Sequence, residues 1–535
     1  MSPTPQALQD YRVKRDAFIQ DDRSLRRENV RLAALSVKEK QADEIVRRIR
    51  TVEETKVWKQ DYADVPHPFP GMEFLTGKRI IEQTKLYGII QKMPKGGLLH
   101  AHLDATVNVD LLMGLALQYP RIHVRVPRRL TTSTISNTLP ELSPIPVTTF
   151  AGNFSVSHAE YQPDTWVSLS VARDGFDDSL GGKEGFDKWI HDSMTINPAE
   201  AYGTHNTVTK IWQKFQSTFR IFNPLIRYRP ILGQYIRQFF LTSIEDGISY
   251  VEPRVPFFHK ALFDEDGELI LTHRDLLLEF DRVLKEVKEE MKAKGRPDDF
   301  IGARVIYSTL RAITAEELEW YTNDCIALKQ EFPHLIAGFD LVGDENVLKP
   351  LTEYIAPLLA FKERVKELGL DLPLILHAGE TLGDGSMADD NLYDAILLGT
   401  KRIGHGFSLV KHPKLMEICR EKGIALEICP ISNEILRLTS SMPMHPLPIL
   451  LNNGVPVALN SDDPAIFGNM GLSYDYYQVL VASDVNGLTT LGQFARDSIT
   501  FSSLEEPEKE RALKNWEERW DRFLDEVLAF DVASV

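Results

Sequence analysis

Cysteine is scarce in this chain: Cys325, Cys419 and Cys429 are the only three in 535 residues, and none falls in a C-x-x-C spacing. That excludes a disulfide framework and a thiolate zinc site, so any metal must be held by histidine and carboxylate. Positive charge is also in deficit. Lys and Arg number 61 against 77 Asp and Glu, a net charge of −16 that argues against nucleic-acid and anionic-membrane partners. A neutral or cationic small molecule is the easier ligand. Nowhere do about 18 uninterrupted apolar residues occur, and the opening MSPTPQALQDYRVKRD holds no signal-peptide core. A cytoplasmic protein that does not span a membrane is therefore expected. What is present is ordinary for a folded chain, with 43% hydrophobic and 26% charged residues.

Four stretches differ in texture. Residues 1–90 read as an N-terminal helical extension, because Leu32, Leu35, Ile45, Ile49 and Val52 recur at helical spacing between Asp21 and Trp58. Its apolar face is expected either to form a lid on this chain's own core or to make a homodimer contact. Residues 91–118 contain a first strand. Residues 119–198 run through the Ser/Thr/Pro-rich TTSTISNTLPELSPIPVTTF into the Gly- and Asp-bearing ARDGFDDSLGGKEGFDKW, which marks an insertion: a module at a pocket entrance, or a long variable loop. Residues 199–535 resume the regular pattern.

That pattern alternates β-like runs with longer helical ones. The runs are LLHAHLDA, ISYVEPRV, IGARVIYS, IAGFDLVG, LPLILHAG, KRIGHGFS, IALEICPI and VPVALNSDD, and the amphipathic stretches between them return each strand in the same direction. The expected fold is α/β, a (β/α)₈ TIM-type barrel with an N-terminal helical extension and an insertion after the first barrel strand.

Several runs end in ionisable residues, at the end of the strand where barrels carry their active face. In His100-Ala101-His102-Leu103-Asp104, strand alternation puts His100, His102 and Asp104 on one side, with both imidazoles able to reach one ion. Alone, such a pair is more often two surface or core histidines. His377-Ala378-Gly379-Glu380 adds a third imidazole and a carboxylate suited to proton transfer. Gly404-His405-Gly406 sets a histidine where missing side chains permit close approach, though a tight turn reads the same way. Asp462-Asp463-Pro464 supplies two adjacent carboxylates, one for a metal and one for a ligand, or simply a helix start. Together, three histidines and one aspartate form a nitrogen–oxygen set for which zinc, one ion per chain, is the first choice.

In order along the chain, MPKGGLLHAHLDA, DLVGDE, LHAGET, RIGHG, CPISN and NSDDP resemble the motifs of the adenosine deaminase family. The tract HNTVTKIWQKFQSTFRIFNPLIRYRPIL and the N-terminal extension are most similar to its growth-factor subfamily, whose members are commonly secreted dimers. The resemblance implies zinc-dependent hydrolytic deamination of adenosine, and of 2′-deoxyadenosine, to inosine and ammonia. It makes His100, His102, His377 and Asp462 the metal ligands, Glu380 the proton donor to purine N1, and His405 the group that orients the attacking water. Asp463 would meet purine N7, the Gly343 backbone purine N3, and Asp104 the ribose 5′-hydroxyl, with Trp212 a pocket tryptophan. The alternatives are deamination of another adenine-containing purine, or a purine-binding signalling scaffold. A nucleotide substrate would need a phosphate clamp, which the sequence alone does not reveal.

Overall fold

The computed structural model describes residues 4–531. Eight parallel strands form the core, labelled in chain order: β1 (Gly96–Leu98), β2 (Ile248–Val251, resuming at Arg254–Pro256), β3 (Gly302–Ala303, resuming at Val305–Leu310), β4 (Ile336–Val342), β5 (Leu376–Ala378), β6 (Arg402–His405), β7 (Ala425–Ile428) and β8 (Val457–Leu459). Each pairs with the next: β1 with β2, β2 with β3, β3 with β4, β5 with β6, β6 with β7 and β7 with β8. The β4–β5 seam is a bridge between Phe339 and Leu374, and the ring closes where Ala101 pairs in parallel with Asp462. The His102 amide donates to the Asp462 carbonyl at 3.0 Å across that closure. A (β/α)₈ barrel is thus complete, and every one of the eight β-like runs contributes a strand to it.

The strands are buried on both faces, as barrel strands must be when helices cover the outside. Some of the strands are interrupted or cut short. Proline at 253 cannot donate to the ladder and divides β2. The strand that opens the barrel also ends early: Leu103–Ala105 is a 3₁₀ turn, so Asp104 is carried by that turn and not by strand alternation, as the sequence reading had it.

Between β1 and β2 the chain builds a small module of its own. Ile122–Arg125 pairs antiparallel with Glu141–Pro144 on one side and Val167–Ser168 on the other, followed by helices Leu169–Asp174 and Gly182–Met194. Its residues do not line the cavity described below, but the module packs against helix Val208–Ile226, which does.

The N-terminal extension is not one helix. Ser36 and Glu39 form a reciprocal capping box that starts a new helix, Val37–Lys56, and separates it from Asn29–Leu32. The face it buries is Ala42, Val46, Ile49 and Glu53, while Leu32 stays 44% exposed. This face packs on the C-terminal helix Glu506–Leu528. The Glu53 carboxylate accepts from the amides of Lys85 and Leu86, capping helix Lys85–Lys92 just before β1. Helix Val37–Lys56 therefore braces the segment that leads into β1, while helix Phe74–Ile81 of the same extension packs on the segment after β7, where the Phe74 amide donates to Glu434 at 3.0 Å. Helix Pro5–Asp22 has no buried residue at all.

Candidate active site

The four polar strand ends meet. His100, His102 and His377 each offer a ring nitrogen within 4.8 Å of the others, and Asp462 Oδ1 lies 3.2 Å from His100 Nε2 and 3.3 Å from His102 Nε2. Backbone geometry serves this convergence at a cost in strain. Asp462 and His405 both sit at positive φ, 62° and 58°, where only glycine is at ease. Gly404 clears the floor: a Cβ there would lie 3.0 Å from His100 Cε1 and 3.2 Å from His377 Cγ.

Behind the cluster stands a shell of fully buried charge that motif reading did not find. Glu427 on β7 accepts from His100 Nδ1 at 2.8 Å, and Asp340 on β4 accepts from His377 Nδ1 at 2.7 Å. Each carboxylate fixes a ring so that Nε2 is the free lone pair turned to the cluster. Arg254 bridges Asp340 and Glu427, at 2.7 Å to each, and Arg402 bridges Glu427 and Glu252, at 2.6 Å to each. Burial alone would raise the Glu427 carboxyl, yet Arg254 and Arg402 hold it well below the usual carboxylate range. Two guanidiniums against three carboxylates leave one negative charge in excess, unfavourable in a dry interior unless a cation faces it. The signal for this shell was a charged residue inside an otherwise apolar run, as in ALEI and GFDLV.

These observations fit a metal ion. His100 Nε2 and Asp462 Oδ1 are buried with no hydrogen-bond partner. Burial pushes His377 down to about 3, so its imidazole is neutral, the form that ligates. Cys429 also lies near His100, His405 and Asp462, but burial and the surrounding carboxylates raise its thiol well above the ordinary range. Replacing Asp340 by Asn is expected to weaken metal binding about 10- to 100-fold while the barrel folds, read by competition with a chelator; unchanged affinity would mean the shell only packs.

Above the cluster opens a cavity of about 560 Å³, lined by His102, Asp104, Trp212, Gly343, His377, Glu380, His405, Asp462 and Asp463. Every residue singled out from the sequence lies on this wall, except His100, which is completely buried behind it. Trp212 comes from the long helix Val208–Ile226, and its indole Nε1 has no partner. Asp463 stands at a helix start, as the bland reading of DDP expected, but its side chain caps nothing and Oδ1 is buried and unpaired. Such unpaired groups on one wall are what a ligand-binding surface presents.

Glu380 is 3% exposed, and its Oε1 lies 3.7 Å from His405 Nδ1 with no hydrogen bond. Burial, then the Asp462 and Glu345 carboxylates, raise its pKa well above that of an ordinary glutamate. The turn that carries it is held by Glu345, which accepts from the amides of Gly379 at 3.2 Å and Glu380 at 3.0 Å. His405 is fixed from behind. The Asn433 side-chain amide donates to Nδ1 at 3.2 Å, and His445 Nε2 holds Asn433 Oδ1 at 3.1 Å, so Nε2 of His405 faces the cluster.

Known proteins share this arrangement of sequence. The profile of the family described as adenosine deaminase matches residues 194–518. Adenosine deaminase 2-A of Danio rerio is 34% identical over 461 residues, covering 86% of this chain and 85% of that protein. The chain belongs to the adenosine deaminase family. Among solved structures it is similar to an adenine deaminase from Arthrobacter aurescens, with a TM-score of 0.52, 18% identity, and coverage of 79% of this chain and 98% of that one. It is also similar to an amidohydrolase from Burkhoderia ambifaria with bound Zn, with a TM-score of 0.52, 15% identity, and coverage of 83% and 95%. At such identities the structures establish the fold alone. The adenosine deaminase relatives at higher identity make this chain a hydrolase of that class, acting on adenosine.

Proposed function

We propose that this cavity deaminates adenosine and 2′-deoxyadenosine hydrolytically, with one zinc ion held by His100, His102, His377 and Asp462. The observation that carries the reading is a neutral-imidazole and carboxylate cluster with unpaired lone pairs, beside a buried glutamate of raised pKa. The zinc-bearing amidohydrolase of the same fold supports the choice of metal. Zinc bound there supplies a Lewis acid that lowers the pKa of a water from about 15.7 to near 7.

The remaining steps belong to the chain's own groups. Glu380, protonated, gives its proton to purine N1, which removes the ring's resistance to addition at C6. His405, held by Asn433 with Nε2 forward, orients the attacking water. Asp463, whose carboxyl burial and Asp462 raise well above the usual range, offers a proton to purine N7. The Gly343 backbone on the cavity wall meets N3, and Trp212 closes the pocket. The C6 amino group leaves as ammonia and the ring is left as inosine.

The sign of the pH dependence follows from Glu380. Its protonated form is the active one, and a raised pKa keeps that form populated to higher pH and loses it as pH rises. kcat/KM is expected to fall on the alkaline side with an ionisation above the ordinary glutamate range; a profile lacking one would sink this assignment. The reading gives no side chain to the ribose 2′-hydroxyl, so a panel of purified enzyme with adenosine and 2′-deoxyadenosine should give kcat/KM values within about tenfold of each other. Absence of turnover on both would remove the proposal.

We further propose a homodimer through the extension. Helix Pro5–Asp22 leaves Tyr11 at 66% and Phe18 at 76% exposed, faces this chain does not cover. Sedimentation should give a dimer that becomes a monomer when residues 4–22 are deleted; a full-length monomer would contradict it.

A further inference from the structure

The deamination groups account for one end of the cavity; the wall beside them is basic. Helix Val208–Ile226 and the residue after it turn Arg220, Asn223 and Arg227 toward the cavity. Arg220 lies about one turn before Asn223 and Arg227 about one turn after, so the three share a face of the helix. Asn223 lines the cavity together with Asp104, and its Oδ1 is buried without a partner. The two arginines thus bracket the place where the proposed reading puts the ribose 5′ position.

Their chemistry is unusual for this chain. In a molecule of net charge −16, most guanidiniums close on a carboxylate, as Arg173 does on Asp187 and Arg282 on Glu279. Among the described residues Arg220 and Arg227 form no ion pair. Arg227 gives one NH to the Ala261 carbonyl at 3.1 Å and lies over the Phe263 ring, while its Nε is buried with no acceptor. Burial lowers its pKa to about 10, with no neighbouring carboxylate to offset that cost. His259 lines the same wall with a buried Nε2 that has no partner. A half-desolvated guanidinium without a counter-ion, beside an unpaired imidazole nitrogen, is a site awaiting an anion, and arginine's planar fork matches phosphate oxygens.

We infer that the cavity also accepts a nucleoside 5′-monophosphate, with Arg220, Arg227 and His259 holding the phosphate, so that adenosine 5′-monophosphate is a substrate beside adenosine. The inference rests on the deamination reading only for the orientation of the nucleoside. The step is the same hydrolysis: water adds at C6, the C6–N bond breaks, ammonia leaves, and the phosphate ester is untouched.

The test compares the metal-loaded enzyme with Arg220→Gln, Arg227→Gln and the double variant, on adenosine and on adenosine 5′-monophosphate. Arg220 is exposed, so its variant folds even where Arg227→Gln does not. The enzyme should turn over the monophosphate, and the monophosphate-to-adenosine ratio of kcat/KM should fall at least tenfold in each single variant. Inorganic phosphate should inhibit adenosine turnover competitively, and less so in Arg220→Gln. Turnover of adenosine alone, or an unchanged ratio in the folded variants, overturns the inference. Calorimetry on metal-loaded Glu380→Gln separates it from the deamination reading: the monophosphate binding at least tenfold more tightly than adenosine supports the anion site even if neither compound is deaminated, and equal or weaker binding refutes it.

Discussion

Glu380→Gln is expected to lower kcat on adenosine by about 10³-fold, within the range general acid–base groups contribute, while metal content and melting temperature stay near those of the parent. The glutamine keeps the shape and the buried position but has no proton to give to N1. The substitution is mild structurally, because the Glu380 carboxylate makes no hydrogen bond through Oε1 and the turn is held by its backbone amide to Glu345. KM should change little, since the lost interaction belongs to the transition state. A drop below tenfold would move proton transfer to another group, and Asp463, a cavity carboxyl whose pKa is also raised, would be the first to examine.

His102→Ala should be as damaging by another route. His102 is the only ligand imidazole with partial solvent exposure, so its removal opens the cluster without cutting into the fully buried shell. Metal should be lost on dialysis, and turnover with it, by at least about 10³-fold, whereas His100→Ala or Asp340→Ala would also leave a cavity in the fully buried network and take one of several partners from Glu427 or Arg254. Added zinc at high concentration should restore part of the activity of His102→Ala. Full metal content and full activity in that variant would remove it from the ligand set.

How far the sequence carried the account depended on whether a feature was local. The eight strands were legible because each is a short apolar run set off by turns, and the ionisable residues at their ends stood out against that background. Asp340, Glu427, Arg254 and Arg402 were not assigned, although each is visible as a charge inside an apolar strand, because what makes them tolerable is pairing across β2, β4, β6 and β7. Between Asp21 and Trp58 the helical periodicity runs on through Leu32 and Leu35, but the capping pair Ser36 and Glu39 starts a new helix there. Asp104 reached the cavity for a different reason from the one expected, on a 3₁₀ turn after the strand had ended. Arg220 and Arg227 gave no signal at all, since only the folded wall reveals that they have no ion-pair partner among the described residues.

The central claim is that water replaces the C6 amino group of adenosine in this cavity. Turnover of adenosine in ¹⁸O-enriched water, with the products weighed by mass spectrometry and ammonia measured alongside, tests it directly. The account predicts inosine carrying one ¹⁸O on its base and one ammonia per inosine; release of free adenine, or inosine without the label, would contradict it.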